Sequence, residues 1–213
     1  MSTMAARSSP VDRVGFRWLA TSWLVALAGS LVANLVIYVV ARALLNPPAK
    51  FMPLATPLWL VVFTVLGTIG AALTFGLVLR LARASLGVFR WATAGLVFVL
   101  ALLADTIGTG LTSPIWLLAA GVVAAVLVVL LAPRLHEDPV RGFQVIGGIM
   151  LLVSLLPPLA LLVGPSASQV ADQWAATPPL VIALMVMHVV TAVITIGLLT
   201  IPILRNSAVA NQG

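Results

Sequence analysis

The chain has 213 residues, of which 62% are apolar and only 8% are charged, and its mean hydropathy is +1.21. Charged residues make up about 25% of an ordinary soluble domain, so this composition excludes a water-soluble fold. The net charge is +6, but no basic face of the kind that neutralises phosphates is present, so we expect no nucleic-acid partner. The absence of cysteine excludes disulfides, thiolate metal sites and a cysteine nucleophile.

Six apolar stretches are long enough to cross a bilayer, which takes about 20 helical residues. They predict an all-α, polytopic membrane bundle that occupies residues 16–204, with cytoplasmic tails at 1–15 and 205–213. The predicted helices cover about 18–44, 57–80, 88–107, 114–133, 143–163 and 179–204. The third span is the hardest to place, because the uncharged stretch between Arg90 and Asp105 is short. We expect Arg90 to extend its side chain toward the headgroups.

The distribution of basic residues predicts the orientation, since positive connections stay on the cytoplasmic side of a membrane. With both termini in the cytoplasm, the external connections hold only Arg42 and Lys50. The cytoplasmic segments then hold Arg7, Arg13, Arg17, Arg80, Arg83, Arg90, Arg134, Arg141 and Arg205. The sequence therefore favours a topology with both termini inside.

The second and third spans resemble the fourth and fifth. Residues 56–60 (TPLWL) match residues 113–117 (SPIWL), and Phe89 corresponds to Phe143 after the following turn. Each unit holds two spans, so the copies share one orientation and predict a parallel duplication of a two-helix hairpin. The alternative is that apolar helices resemble one another by composition alone.

Small residues at four-residue spacing predict where helices approach closely inside the bilayer. The first span has Ala26, Ser30 and Asn34, and the second has Gly67 with Ala71. Further pairs lie at Ala72 with Gly76, Ala120 with Ala124, and Gly121 with Ala125. We expect these to be contacts within one chain, with homodimerisation as the alternative.

His188 lies near the midplane of the sixth span, and Asn34 lies at similar depth in the first. A neutral imidazole needs partners for one donor and one acceptor, so we predict a hydrogen bond between the two, with Ser30 and Thr191 nearby. Three roles stay open for His188: a structural interhelical contact, a proton-linked or ligand-linked site, and a haem ligand. The haem reading lacks a second deep histidine.

Two more features lie toward the outer boundary of the membrane. Asp105 ends the third span and Arg42 ends the first on the same side, which predicts an ion pair unless headgroups and water solvate both. Pro157 and Pro158 in the fifth span predict a helix kink, because proline cannot donate to the carbonyl four residues back. The kink is either a tolerated bend or a break that faces a ligand.

Residues 134–139 (RLHEDP) contain metal-ligand types, but their spacing does not fit a helical zinc motif. We expect a solvated cytoplasmic loop there. No phosphate-binding loop, nucleophile elbow or deep pair of carboxylates is present in the sequence. These observations predict a protein that is not an enzyme and binds no metal or cofactor.

Residues 33–35 (ANL), 41–44 (ARAL), 155–159 (LLPPL) and 187–190 (MHVV) resemble a family of small bacterial multi-pass membrane proteins of unknown function. Its members have four helices, which match the first, second, fifth and sixth spans here. The extra central pair departs from that pattern and fits the duplication. The resemblance implies a bacterial plasma membrane and a shared constellation of Asn34, Arg42, Pro157, Pro158 and His188, but no activity.

The leading expectation is a non-enzymatic accessory protein, or a bundle that binds lipid or another hydrophobic ligand. Its expected partners are the bilayer and either another membrane protein or a second copy of the chain. The first alternative is a small transporter or channel component with a polar site around His188 and Asn34. The second alternative is a membrane-embedded enzyme.

Overall fold

The computed structural model describes the backbone of residues 16–108, 114–163 and 175–210, and the side chains of residues 17–103, 118–159, 161–162 and 175–201. Every regular element in these ranges is a helix, as predicted. In chain order the helices are α1 (Phe16–Leu45), α2 (Met52–Ala55), α3 (Pro57–Leu81), α4 (Leu86–Gly108), α5 (Pro114–Glu137), α6 (Pro139–Val163) and α7 (Pro178–Ala210).

All helices except α2 are long and apolar enough to cross a membrane, and the mean hydropathy of their best windows is between 1.8 and 2.5. Their outward faces carry large apolar side chains. Leu44, Leu73, Leu130 and Leu152 are exposed by 77%, 69%, 66% and 67% respectively. Exposing such surface to water costs about 25 cal/mol per Å² of apolar area, whereas acyl chains solvate it at no such cost. The six spans confirm a multi-pass helical membrane bundle.

Proline begins most of the long helices. Pro57, Pro114, Pro139 and Pro178 are the first residues of α3, α5, α6 and α7. The first residue of a helix needs no N–H donor, and proline already has the helical φ angle, so these positions suit it. Just after the C-terminal end of α1, Asn46 has a φ of 43°, which is the left-handed conformation that commonly terminates a helix.

The connection between α5 and α6 is much shorter than the sequence suggested. Helix α5 continues past Pro133 to Glu137, and α6 begins at Pro139, so only Asp138 lies between them. The Asp138 side chain accepts a hydrogen bond of 3.0 Å from the Arg141 N–H, which caps α6. The expectation of a solvated loop here was wrong, because Pro133 removes only one helical hydrogen bond and the helix continues past it.

His136 in the last turn of α5 is half-buried, and its Nε2 donates to the Ala84 carbonyl at 3.0 Å. Its ring meets Phe89 edge-on, with the centroids 5.2 Å apart. The histidine thus joins α5 to the α3–α4 turn. Helix α7 is longer than predicted, since it ends at Ala210 and the sequence predicted an end at residue 204.

Helices α3 and α6 lie at the centre of the bundle, and each contacts α4, α7 and the other; α1 packs on α3 and α7. Two apolar clusters form at opposite ends. The cluster at the end where α1 begins, the Phe16 end, extends to Val153 in the middle of the bundle and includes Phe75 and Phe143, whose ring centroids are 4.6 Å apart. The cluster at the opposite end, the Leu45 end, includes Tyr38, Phe51 and Leu54.

The short helix α2 closes the Leu45 end of the bundle. The sequence suggested a plain external connection between the first two spans, but Phe51 and Leu54 are fully buried there. Both pack with Leu60 and Leu180, so α2 covers the ends of α3 and α7. Burial of two large apolar side chains explains why this segment docks on the bundle.

Small residues allow close helix approach at several predicted places. A β-carbon on Gly76 would lie 3.2 Å from Leu19, and one on Gly121 would lie 3.2 Å from Phe98. Gly67 was expected at an interface, but a β-carbon there would have no atom within 4 Å. That expectation was wrong because spacing alone does not tell a lipid-facing stripe from an interhelical one.

Candidate functional site

Polar side chains at four-residue spacing form a stripe along one face of α1. Ser30, Asn34 and Tyr38 are buried, and Arg42 follows at the Leu45 end. Residues four apart lie on the same face of a helix, so the stripe faces α3 and α7 together. It meets a second set of hydroxyls, which are Thr64 on α3 and Thr191 and Thr195 on α7. We call Ser30, Asn34, Thr64, Thr191 and Thr195 the polar layer.

Asn34 is the centre of the polar layer and is only 4% exposed. Its Nδ2 donates to Thr64 Oγ1 at 3.0 Å and to Thr191 Oγ1 at 2.8 Å. Thr64 in turn donates to the Leu60 carbonyl at 2.7 Å. One amide therefore ties three helices together. The Oδ1 atom of the same amide is buried and has no hydrogen-bond partner.

Ser30 and Thr195 extend the polar layer by one turn toward the Phe16 end. Their hydroxyl oxygens are 3.4 Å apart, and the two residues are 0% and 2% exposed. Because Ser30 meets Thr195 and Asn34 meets Thr191, α1 and α7 run antiparallel. Hydrogen bonds between membrane helices contribute on average about 0.6 kcal/mol each, so this layer fixes register more than it adds stability.

His188 does not join Asn34 as predicted. Its Nδ1 lies 2.8 Å from the Leu184 carbonyl one turn earlier in α7, and both N–H groups of Asn34 bind threonines. Thr191 follows His188 by three residues, which is a rotation of about 60° from the same face and about 4.5 Å along the axis. Since a carbonyl only accepts, Nδ1 carries the proton, and Nε2 of the neutral ring is an acceptor.

Arg42 joins α1 to α2. Its Nη1 donates to the Tyr38 hydroxyl at 3.0 Å and to the Ala55 carbonyl at 2.8 Å. Ala55 is the last residue of α2, so its carbonyl has no helical donor of its own. The backbone of Asp105 belongs to α4, but its side chain lies outside the described residues. The ion pair between Arg42 and Asp105 therefore stays a prediction.

Helix α6 continues through Pro157 and Pro158, and Pro158 is buried. Neither proline has an N–H, so the carbonyls of Val153 and Ser154 lose their usual helical donors. Helices α6 and α7 run antiparallel: Gln144 donates to Thr200 at 3.1 Å, and Gly147 approaches Ile196. Continued along both helices, this register puts Val153 at about the depth of Thr191.

Sequence reasoning found Ser30, Asn34 and Thr191 but missed Tyr38, Thr64 and Thr195. The available signal was the four-residue spacing from Ser30 to Arg42, and the same spacing between Thr191 and Thr195. Within the described ranges, no three His, Asp or Glu side chains come together as a metal site requires. What the site offers is hydroxyls, one amide and one imidazole, which bind by hydrogen bonding.

We expect Asn34→Ala and Thr191→Val to show an interaction energy of about 0.6 kcal/mol, and no more than about 1.7, in a double-mutant cycle. The reason is that each substitution removes one partner of the same 2.8 Å bond. The free energy of unfolding in mixed micelles gives the four values of the cycle. Thr21→Val is the control, since Thr21 bonds only to the Arg17 carbonyl of its own helix and should not couple with Asn34.

No protein-family model, no curated protein and no solved structure matches this chain.

Proposed function

We propose that the protein is a non-enzymatic plasma-membrane bundle that binds a lipid acyl chain or a similar hydrophobic ligand. The observation that carries the proposal is an open groove of about 430 Å³ between α1 and α7. It follows α1 from Val36 to Leu45 and α7 from Pro179 to Val186, and every residue that lines it is apolar. At 1.5 Å per residue, the α1 side of the groove is about 14 Å long.

The lining of the groove favours an alkyl chain over a polar ligand. Sites for polar molecules place a few donors or acceptors that fix the orientation of the ligand, and this groove has none among its lining residues. Val36, Val40 and Ile182 on its walls are about half exposed, so the groove opens sideways toward the acyl chains. A chain that enters from the bilayer stays in an apolar environment and gains packing contacts.

Filling the groove should remove the ligand. We expect Ala183→Trp to lose most of the phospholipid that remains bound after gel filtration in detergent, because an indole would occupy the space between α1 and α7. Ala28→Trp is the matched control, since Ala28 is exposed on α1 outside the groove. Native mass spectrometry gives the lipid-to-protein ratio. Equal retention by both variants, or no retained lipid in the unmodified protein, would contradict the proposal.

We further propose a bacterial plasma membrane, with both termini in the cytoplasm. Support comes from the basic side chains at the Phe16 end of the bundle. They are Arg17 at the start of α1, Arg80 in the last turn of α3, Arg83 after α3, Arg90 in α4, Arg134 in α5 and Arg141 in α6. Positive ends of membrane proteins stay in the cytoplasm. Labelling of introduced cysteines on the two sides of the membrane tests this orientation.

The duplication of a two-helix hairpin and the membership in the four-helix bacterial family are proposals as well. The duplication is supported by the starts of α3 and α5 at the matching residues Pro57 and Pro114. Diverse relatives provide the test of both. The α3–α4 segment should align with α5–α6 better than shuffled apolar sequence does, and four-helix members should keep Asn34, Arg42 and His188. Failure of either alignment would reject the corresponding proposal.

A small transporter or channel component is the second candidate, and the unpartnered Asn34 Oδ1 favours it. Polar groups deep in a membrane protein mark ligand and ion paths more often than polar groups at its surface. Flux through proteoliposomes that is unchanged in His188→Ala and Asn34→Leu would reject this role. A membrane-embedded enzyme is the third reading, and no arrangement among the described side chains favours it.

A further inference from the structure

We propose that the polar layer binds a small ligand that donates hydrogen bonds, with Asn34 Oδ1 as the primary acceptor. The hydrogen bonds of the Asn34 amide leave one acceptor over. Both hydrogens of the Asn34 amide are used by Thr64 and Thr191, and the proton of Thr64 is used by the Leu60 carbonyl. Asn34 Oδ1 remains buried without a donor. A buried acceptor without a partner is costly in the low dielectric of a bundle, so a bound donor is strongly favoured.

The orientation of the Asn34 amide determines whether its missing partner is a hydrogen-bond donor or an acceptor. Rotation of the Asn34 side chain by 180° would bring Oδ1 against Thr64 Oγ1, whose proton is already directed at the Leu60 carbonyl. Thr191 could then donate to Oδ1, but Oδ1 and Thr64 Oγ1 would face each other as acceptors, and both amide hydrogens would be left without partners. The orientation with Nδ2 toward the two threonines is therefore the stable one, and the ligand must supply a donor.

Other acceptors lie at nearby depth. Nε2 of His188, one turn from Thr191 on α7, is an acceptor because Nδ1 donates to the Leu184 carbonyl. On α6, Pro157 and Pro158 withhold N–H groups from the carbonyls of Val153 and Ser154. The middle of the bundle thus holds several acceptors besides Asn34 Oδ1.

The charge of the site restricts the class of ligand. The acidic side chains that the structure describes are Glu137 and Asp138, and both lie in the α5–α6 turn at the Phe16 end. No described carboxylate therefore reaches the polar layer. A divalent cation, which carries two charges and is usually bound by carboxylates, does not fit, whereas neutral acceptors can hold a singly charged ammonium group by hydrogen bonds. Two sources of N–H or O–H donors remain, which are a primary ammonium group and an ordered water molecule. This inference does not rest on the α1–α7 groove, whose lining residues are apolar.

The first experiment is thermal unfolding of the full chain in detergent micelles with ammonium, methylammonium or tetramethylammonium chloride. Tetramethylammonium has the same charge but no N–H group, so it controls for ionic strength and cation charge. If an ammonium group is the ligand, ammonium should raise the Tm by about 3–5 °C at ten times its Kd, and tetramethylammonium should not. Asn34→Leu should lose the shift, and Thr21→Val, which removes a hydroxyl outside the polar layer, should keep it.

The second experiment detects water and needs no variant. Magnetisation transfer from water to the side-chain carbons of asparagine-labelled protein in lipid reports which amides contact water. Asn46 is exposed and gives the rate for a hydrated amide. Transfer to Asn34 at a similar rate supports water as the donor, and an ammonium-specific rise in Tm supports the amine. If neither is observed, the buried Oδ1 holds no ligand and the proposal is overturned.

Discussion

The Phe143→Ala variant is expected to unfold with a free energy about 2–3 kcal/mol lower than that of the unmodified chain. Phe143 is 1% exposed, and its ring packs 4.6 Å from that of Phe75, which also contacts Trp18. In soluble proteins such a truncation costs about 3–5 kcal/mol. In a bilayer the unfolded helices stay among acyl chains, so the loss is mainly of packing contacts. Reversible unfolding in mixed micelles measures the difference.

Leu152→Ala is the matched control for Phe143→Ala. Leu152 lies on the same helix but is 67% exposed, so acyl chains replace the contacts that its side chain makes. We expect a change of less than about 0.5 kcal/mol. Equal effects of the two substitutions would mean that α6 does not bury Phe143 against α3. This result would contradict the apolar cluster that contains Phe75 and Phe143.

Gly142→Ala is expected to lower the free energy of unfolding by about 1–2 kcal/mol. A β-carbon at this position would lie 2.8 Å from the Leu135 carbonyl oxygen and 3.3 Å from its β-carbon. These atoms belong to the helix on the other side of the one-residue turn, so relief requires backbone movement. Overpacking of this kind costs about 1–3 kcal/mol, and the higher helix propensity of alanine offsets part of it.

Gly148→Ala provides the comparison within the same helix. A β-carbon there would meet no atom within 4 Å, so only the helix propensity changes. We expect no loss, and a gain of up to about 1 kcal/mol. If Gly142→Ala were as stable as Gly148→Ala, the turn at Asp138 could not be as tight as the structure has it, and the predicted longer connection would be favoured again.

The long helices could be predicted from the sequence because the apolar runs themselves determine them. A stretch such as 57–81 has only one way to satisfy its backbone in a bilayer, which is a helix. The ends of helices were harder to predict. Pro133 suggested an end, but α5 continues to Glu137 because one lost hydrogen bond does not outweigh the burial of Leu135. The docking of α2 depends on the apolar surface against which Phe51 and Leu54 pack. That surface comes from other helices, so the local sequence pattern does not predict it.

For the candidate site, too, one property could be predicted from the sequence and another could not: the depth of each residue could, but its contacts could not. Depth along a span can be counted from the sequence, so Asn34, Thr191 and His188 were placed together at the right level. Which of them touch depends on the rotation of α7 about its axis, and that rotation directs Thr191 to Asn34 and His188 to its own backbone. A threonine in an apolar run also looks unremarkable until a partner helix is known, which is why Thr64 was missed.

Labelling of introduced cysteines tests the central claim most directly, because the chain has no cysteine of its own. Ala49→Cys and Ser85→Cys place one exposed thiol at each end of the bundle, after α1 and before α4. A membrane-impermeant maleimide should label Ala49→Cys on intact bacterial cells, and should label Ser85→Cys only after the membrane is opened. The reverse pattern would contradict the orientation. Labelling of both thiols on intact cells, or recovery of the protein in the soluble fraction, would contradict the six-span bundle itself.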